Sequence, residues 1–230
     1  LDFHPEFPMF LSAGEDGKVL QWNKDSLGNW NYREVYDFGK WAIECKYSSD
    51  GKKIACGDAL GHVAVIDGAS VEDLPLQERP DQAWGIAWSK DDKHIVVAER
   101  SAMLRFWQIG EGKPVCVSVP SESANWDVAF TEDGTTAAAV GDRGYITFAR
   151  DNKIKVCKLS EGRLQAVAPC KEKNAFIAAG DDGIVLETDL DGNVTKRFVP
   201  DRQYSRLKVE NAINVSDFQL SSIRQFGGID

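Results

Sequence analysis

One pattern recurs along the 230-residue chain and governs every other reading of it. A short apolar strand leads into a polar turn, often Ser/Thr-x-Asp-Gly. A second strand of small residues follows and ends at a glycine-rich turn. A third strand then ends near a tryptophan or another apolar residue. The first turn reads Tyr47-Ser48-Ser49-Asp50-Gly51-Lys52, then Trp88-Ser89-Lys90-Asp91-Asp92-Lys93, then Phe130-Thr131-Glu132-Asp133-Gly134-Thr135. The second strands are Phe10–Ala13, Ile54–Cys56, Ile95–Val97, Ala137–Ala139 and Phe176–Ala179. The residues that follow them, Gly14, Gly57, Ala98, Gly141 and Gly180, set a register with intervals of 43, 41, 43 and 39.

A period of about 41 residues, with turn signals about every 8–12 residues, argues for units of four short antiparallel strands. No long helical periodicity appears before residue 200. One such sheet leaves its faces bare, whereas sheets stacked radially bury one another. The predicted fold is all-β: a β-propeller of four-stranded antiparallel blades with five visible repeats. Inner strands are expected at Trp41–Tyr47, Ala83–Trp88, Trp126–Phe130 and Leu164–Ala168. Outer strands are expected near Trp30–Val35, Val71–Gln77, Val115–Val119, Ile154–Lys158 and Val194–Val199. Trp22 and Trp107, at third-strand ends, read as core.

The stretch from Phe10 to Asn23 (Phe-Leu-Ser-Ala-Gly-Glu-Asp-Gly-Lys-Val-Leu-Gln-Trp-Asn) resembles the second half of a WD40 repeat. Ile177 to Asp189 is a weaker copy, and the resemblance runs from residue 1 to about 199. The signature dipeptides are eroded. The closing Trp-Asp appears as Trp22-Asn23, Ile66-Asp67, Trp107-Gln108, Ala149-Arg150 and Thr188-Asp189, and the opening Gly-His is missing. In that family a histidine and a turn aspartate brace each blade. Asp16 and Asp182 take the aspartate's place, but Arg143 replaces it in the fourth unit. The resemblance therefore implies blades that rely on packing rather than on bracing. It also implies a domain that binds protein partners, usually on the face formed by the turns after the second strands.

Propellers of this family usually have seven blades, and the pattern here fades after Pro200. Residues 1–200 read as the propeller repeats. Residues 201–230, with four basic and four acidic residues, read as a degenerate sixth blade or an extension. The chain also reads as a fragment of a longer ring.

The formal charge is −9, from 36 acidic and 27 basic residues, with no basic run. Such a surface repels phosphate backbones, so direct binding to nucleic acid is not expected. The five cysteines, Cys45, Cys56, Cys116, Cys157 and Cys170, are odd in number and lack C-x-x-C spacing. They favour neither a disulfide framework nor a zinc site. A reducing intracellular setting, cytoplasmic or nuclear, is expected, with no membrane span. His4 and His94 fall near one face and His62 near the other, so no triad or metal site forms from them. Asp189-Leu190-Asp191-Gly192-Asn193 hints at a calcium loop but lacks a distal bidentate Glu and reads as a turn. No cofactor and no catalysis are expected. A channel-centred enzyme is the remote alternative.

What the register does superimpose is charge. Glu15, Asp58, Glu99, Asp142 and Asp181 each follow a register position, so a closed ring would set five carboxylates in a circle on one face. Turn chemistry explains aspartates there but not Glu15 and Glu99. Trp84 and Trp126 share a position at the inner-strand entry, and Trp41 lies two residues earlier in its unit. Tryptophans beside carboxylates suit a Lys- or Arg-bearing protein or peptide. Packing between blades is the competing reading of the same tryptophans. The expected function is a scaffold or sensor domain within a multi-protein complex, docking a partner on this face. The alternative is a structural component of a larger assembly that binds through its edges.

Overall fold

The structure is a computed structural model that describes residues 1–74, 81–110, 123–150 and 153–199 in full and residues 115–118 by their backbone. The segment 201–230, the end of the outer strand expected at Val71–Gln77, and Val119 lie outside the described residues.

Among the described residues, twenty strands form five antiparallel four-stranded sheets, each ordered as in the chain. The first blade holds β1 (Asp2–Phe3), β2 (Met9–Ala13), β3 (Lys18–Lys24) and β4 (Trp30–Asp37). The second holds β5 (Ala42–Tyr47), β6 (Lys53–Asp58), β7 (Val63–Asp67) and β8 (Ser70–Leu74). The third holds β9 (Ala83–Trp88), β10 (His94–Glu99), β11 (Met103–Gln108) and β12 (Val115–Ser118). The fourth holds β13 (Asn125–Phe130), β14 (Ala137–Gly141), β15 (Tyr145–Arg150) and β16 (Lys153–Lys158), with a 3-10 turn at Asp142–Gly144. The fifth holds β17 (Leu164–Pro169), β18 (Ala175–Gly180), β19 (Val185–Asp189) and β20 (Val194–Phe198). Each inner strand packs beside the next, β5 on β1 and β2, β9 on β5, β13 on β9 and β17 on β13. Among the described residues the sheets follow one another without closing into a ring.

The second strands of the third and fourth blades are apolar through their middles because they are covered on both faces. Ile95, Val96 and Val97 are fully buried, as are Ala137 and Ala138. Cores form between blades: Leu11 and Val19 of the first blade join Cys45, Tyr47, Ile54 and Cys56 of the second. Gly85 shows how tight the inner layer is, since a Cβ there would lie 2.9 Å from the Cα of Asp127 in the next blade.

The blades do not rely on packing alone, which corrects the expectation drawn from the missing Gly-His. Polar side chains tie neighbours together by other routes. Asp2 accepts from the Tyr47 amide at 2.8 Å, and Asp127 from the Val167 amide at 2.9 Å. Trp88 donates to the Lys46 carbonyl, and Asn125 donates to the Glu99 and Met103 carbonyls. Asp92 accepts from the amides of Ser49 and Asp50. The Ser/Thr-x-Asp turns add a local brace. Ser48, Ser89 and Thr131 each donate to the aspartate two residues on and accept from the amide five residues on.

Trp107 is buried as expected, but Trp22 is only half-buried. It stacks on Phe10 at 5.7 Å and tilts against Tyr32, while Phe10 also meets Phe3 and Trp30. These residues alternate with Leu11 and Val19, so they lie on the face of the first blade turned away from the second. Phe3, Trp30 and Tyr32 are 75%, 45% and 63% exposed.

Candidate functional site

Strand pairing fixes which residues are equivalent at the turns after the second strands. Asp58 pairs with Ala42, Glu99 with Ala83, Gly141 with Asn125 and Gly180 with Leu164. The carbonyls of Gly14, Asp58, Glu99 and Gly180 accept the turn-closing amide three residues on. The next residues, Ala59, Arg100, Asp142 and Asp181, donate their amides to Trp41, Gln82, Ala124 and Arg163 at the inner-strand entries. The expected circle of five equivalent carboxylates is therefore corrected. Asp58 and Glu99 stand one position earlier than Glu15, Asp142 and Asp181. A slip of one residue turns a side chain to the opposite face.

The two kinds of carboxylate differ accordingly. Asp58 is fully buried, accepts from the amides of Leu60 and His62 at 2.8 Å, and holds His62 Nδ1 at 2.7 Å. Glu99 is also buried and faces Arg105, with Nε at 2.7 Å from one oxygen and Nη2 at 3.0 Å from the other. Burial pushes the Glu99 carboxyl above its ordinary range, against the pull of Arg105. Both groups stabilise their own blades. Glu15 and Asp181 are exposed and Asp142 is half-buried.

The inner strands carry a second device. Each of β5, β9, β13 and β17 bulges at its second residue, at Ile43, Trp84, Trp126 and Gln165 respectively. A bulge re-aims the side chain it carries. In the third and fourth blades it brings two indoles together, with ring centroids 4.3 Å apart and planes at 79°. Both indole N–H groups are satisfied from nearby: Trp84 donates to Gln82 and Trp126 donates to Asp142, at 2.8 and 2.7 Å. Trp41 is 41% exposed and precedes the bulge, so it corresponds to Gln82 and Arg163 rather than to the other two tryptophans. Among the described residues no ring contact joins it to them.

Sequence reasoning missed Arg163. Its guanidinium lies 4.8 Å from the centre of the Trp126 ring. Its Nε donates to Asp181 at 3.0 Å, and Gln165 donates to the other Asp181 oxygen at 2.6 Å. Gly180 makes room for this entry, since a Cβ there would strike the Arg163 carbonyl. The available signal was its place directly before an inner strand, the place Trp41 holds in the second blade. The surface is therefore mixed in charge: Asp142 and Asp181 lie beside Arg100 and Arg163. Contacts link it from Arg100 through Gln82 and Trp84 to Trp126, Arg163 and Asp181.

Of the histidines, His4 and His94 lie by the turns after the inner strands and His62 lies at the other end of the blades. Cys45, Cys56, Cys157 and Cys170 are free thiols. Asp189 accepts from the amides of Asp191 and Asn193 and from the Asn193 side chain, the hydrogen bonding of a plain turn. No helix among the described residues is long and apolar enough to cross a membrane.

Comparison with known proteins agrees on the architecture. The chain superposes on the WD40 β-propeller domain of Doa1 with a TM-score of 0.72 at 16% identity, over 86% of this chain and 67% of that one. It is 20% identical to the beta subunit of a guanine nucleotide-binding protein of Arabidopsis thaliana, over 83% of this chain and 55% of that protein. It is 28% identical to a subunit of chromatin assembly factor 1 of Saccharomyces cerevisiae, over 50% of this chain and 22% of that protein. The chain thus spans about half, or less, of the curated relatives it matches. No family model matches it. The fold is that of a WD40 β-propeller: the repeat spacing implied the propeller, and the resemblance of Phe10 to Asn23 implied the WD40 type.

Proposed function

We propose that this WD40-type propeller is a non-enzymatic interaction module that docks a protein or peptide on the turn-end surface of its third to fifth blades. The observation that supports this most directly is the Trp84–Trp126 pair, half-exposed and edge-to-face. Its polar atoms are already satisfied within the chain, so the ring surfaces remain for a partner. Tryptophan is the side chain most enriched at the energetic centres of interfaces. Asp142, Asp181 and Glu15, with exposed Trp41 further along, suit a basic partner. Asp58 and Glu99 serve the surface only indirectly, by holding its turns. Two curated relatives are named as subunits, which fits a place in a multi-protein complex. The net charge of −9 argues against direct contact with nucleic acid. Free cysteines fit an intracellular setting, cytoplasmic or nuclear.

The test compares wild type with Trp126→Ala in a pulldown, after checking that both melt alike. Loss of one or more partners is expected. Identical recovery of every partner would sink the proposal. A second reading, docking through an edge of the propeller, is favoured by the aromatic face of Phe3, Trp30 and Tyr32, which is exposed among the described residues. Replacing Tyr32 and Trp30 with Thr separates the two, because only edge docking loses partners then.

A further inference from the structure

We propose that Arg163 is a tethered stand-in for the partner's cation, occupying the tryptophan site until a guanidinium from outside displaces it. This rests on the docking surface proposed above and names the chemistry of its occupant.

Three features support it. First, the Arg163 guanidinium has the placement of a bound cation: over an indole face at 4.8 Å and against a carboxylate at 3.0 Å. Second, the platform beneath it is built without its help. Trp126 is oriented by its hydrogen bond to Asp142, and Trp84 packs against it edge-on. Asp181 keeps a partner in Gln165 if Arg163 swings away. Third, the arginine is not locked in place. Its side chain is 38% exposed and its ion pair with Asp181 is solvent-accessible, a class of pair that contributes little. Its bond to the turn is made by the carbonyl, which accepts from the Asp181 amide, so the side chain leaves without disturbing the turn.

A tethered group competes at millimolar effective concentration, so a partner's guanidinium meets a site already taken. Losing that competitor raises affinity for the same chemistry. The stacked geometry favours arginine over lysine, because a planar guanidinium lies flat on an indole face.

The test follows the side-chain N–H signals of Trp84 and Trp126 by two-dimensional NMR, assigned through Trp→Phe variants. The probe is argininamide, titrated into wild type, Arg163→Ala and Arg163→Gln at constant salt. Two variants guard against one that folds poorly. The expected result is that both variants bind the probe about 5–10-fold more tightly than wild type, with the Trp126 signal moving most. Equal affinity in all three proteins, with Trp126 still shifting, overturns the stand-in role but leaves the docking surface intact. No shift of either signal in any protein removes the cation site and the preference for a basic partner with it. N-acetyl-aspartate is the counter-probe. If it shifts Trp126 in wild type and not in the variants, Arg163 is an anion receptor and the proposal fails.

Discussion

The turns after the second strands open at Asp58 and Glu99 in the second and third blades and carry Asp142 and Asp181 in the fourth and fifth. All four are carboxylates next to the same structural corner, yet they do opposite work. Asp58 and Glu99 sit on the last strand position, turn inward and bind groups of their own blades. Asp142 and Asp181 sit one residue later, past a glycine, and turn to the tryptophan surface. At the edge of a sheet, one backbone step decides whether a charge turns into its own blade or toward the tryptophan surface.

The sharpest way to break this contrast is Glu99→Ala. It removes one partner of the buried Glu99–Arg105 pair, a loss of about 3–5 kcal/mol. A denaturant midpoint nearly unchanged would show that Glu99 is not structural. Next comes Asp58→Ala, which strips the acceptor from two turn amides and His62, at about 1–3 kcal/mol. By contrast, Asp142→Asn and Asp181→Asn are expected to stay within about 0.5 kcal/mol of wild type. Their effect belongs in partner binding, read by the pulldown.

A third set of carboxylates, at the opposite end of the blades, sharpens the comparison through pH. The Lys52 amide and Ser48 hydroxyl hold the Asp50 carboxyl down at about 2. The Thr131 hydroxyl and Thr135 amide do the same for Asp133. Both lie below the ordinary aspartate value of 3.8, so their contribution is fully present above pH 3.8 and is lost as pH falls toward 2. These groups are exposed, and solvent keeps each contribution below about 1 kcal/mol. Melting curves between pH 4 and 2 should show a shallower decline for the Asp50→Asn, Asp133→Asn double variant. An unchanged slope would show that these turns do not drive acid sensitivity.

The repeat was legible because strand burial and turn chemistry leave a period that survives the loss of signature dipeptides. Strand placement followed from it, to within a residue or two at Ala83–Trp88 and Leu164–Pro169. The site was only partly legible. Trp84 and Trp126 were placed together correctly because both sit one step into an inner strand. The carboxylate circle was misregistered because Gly57 and Ala98 look like the turn glycines Gly141 and Gly180, while the β-bulges that set true equivalence leave no mark in composition. Trp22 read as core because its place in the repeat equals that of Trp107, yet no described blade covers its face. Arg163 escaped because a contact with Trp126, 37 positions away in the chain, exists only once two blades stand side by side.

Docking of a basic chain on the Trp84–Trp126 surface, as proposed, can be read without knowing the natural partner. Panning a phage-displayed random peptide library tests it most directly, with wild type beside a Trp84→Ala, Trp126→Ala double variant of similar thermal stability. Wild type is expected to enrich peptides rich in arginine or lysine, and the double variant is not. The same enriched peptides from both proteins would contradict it.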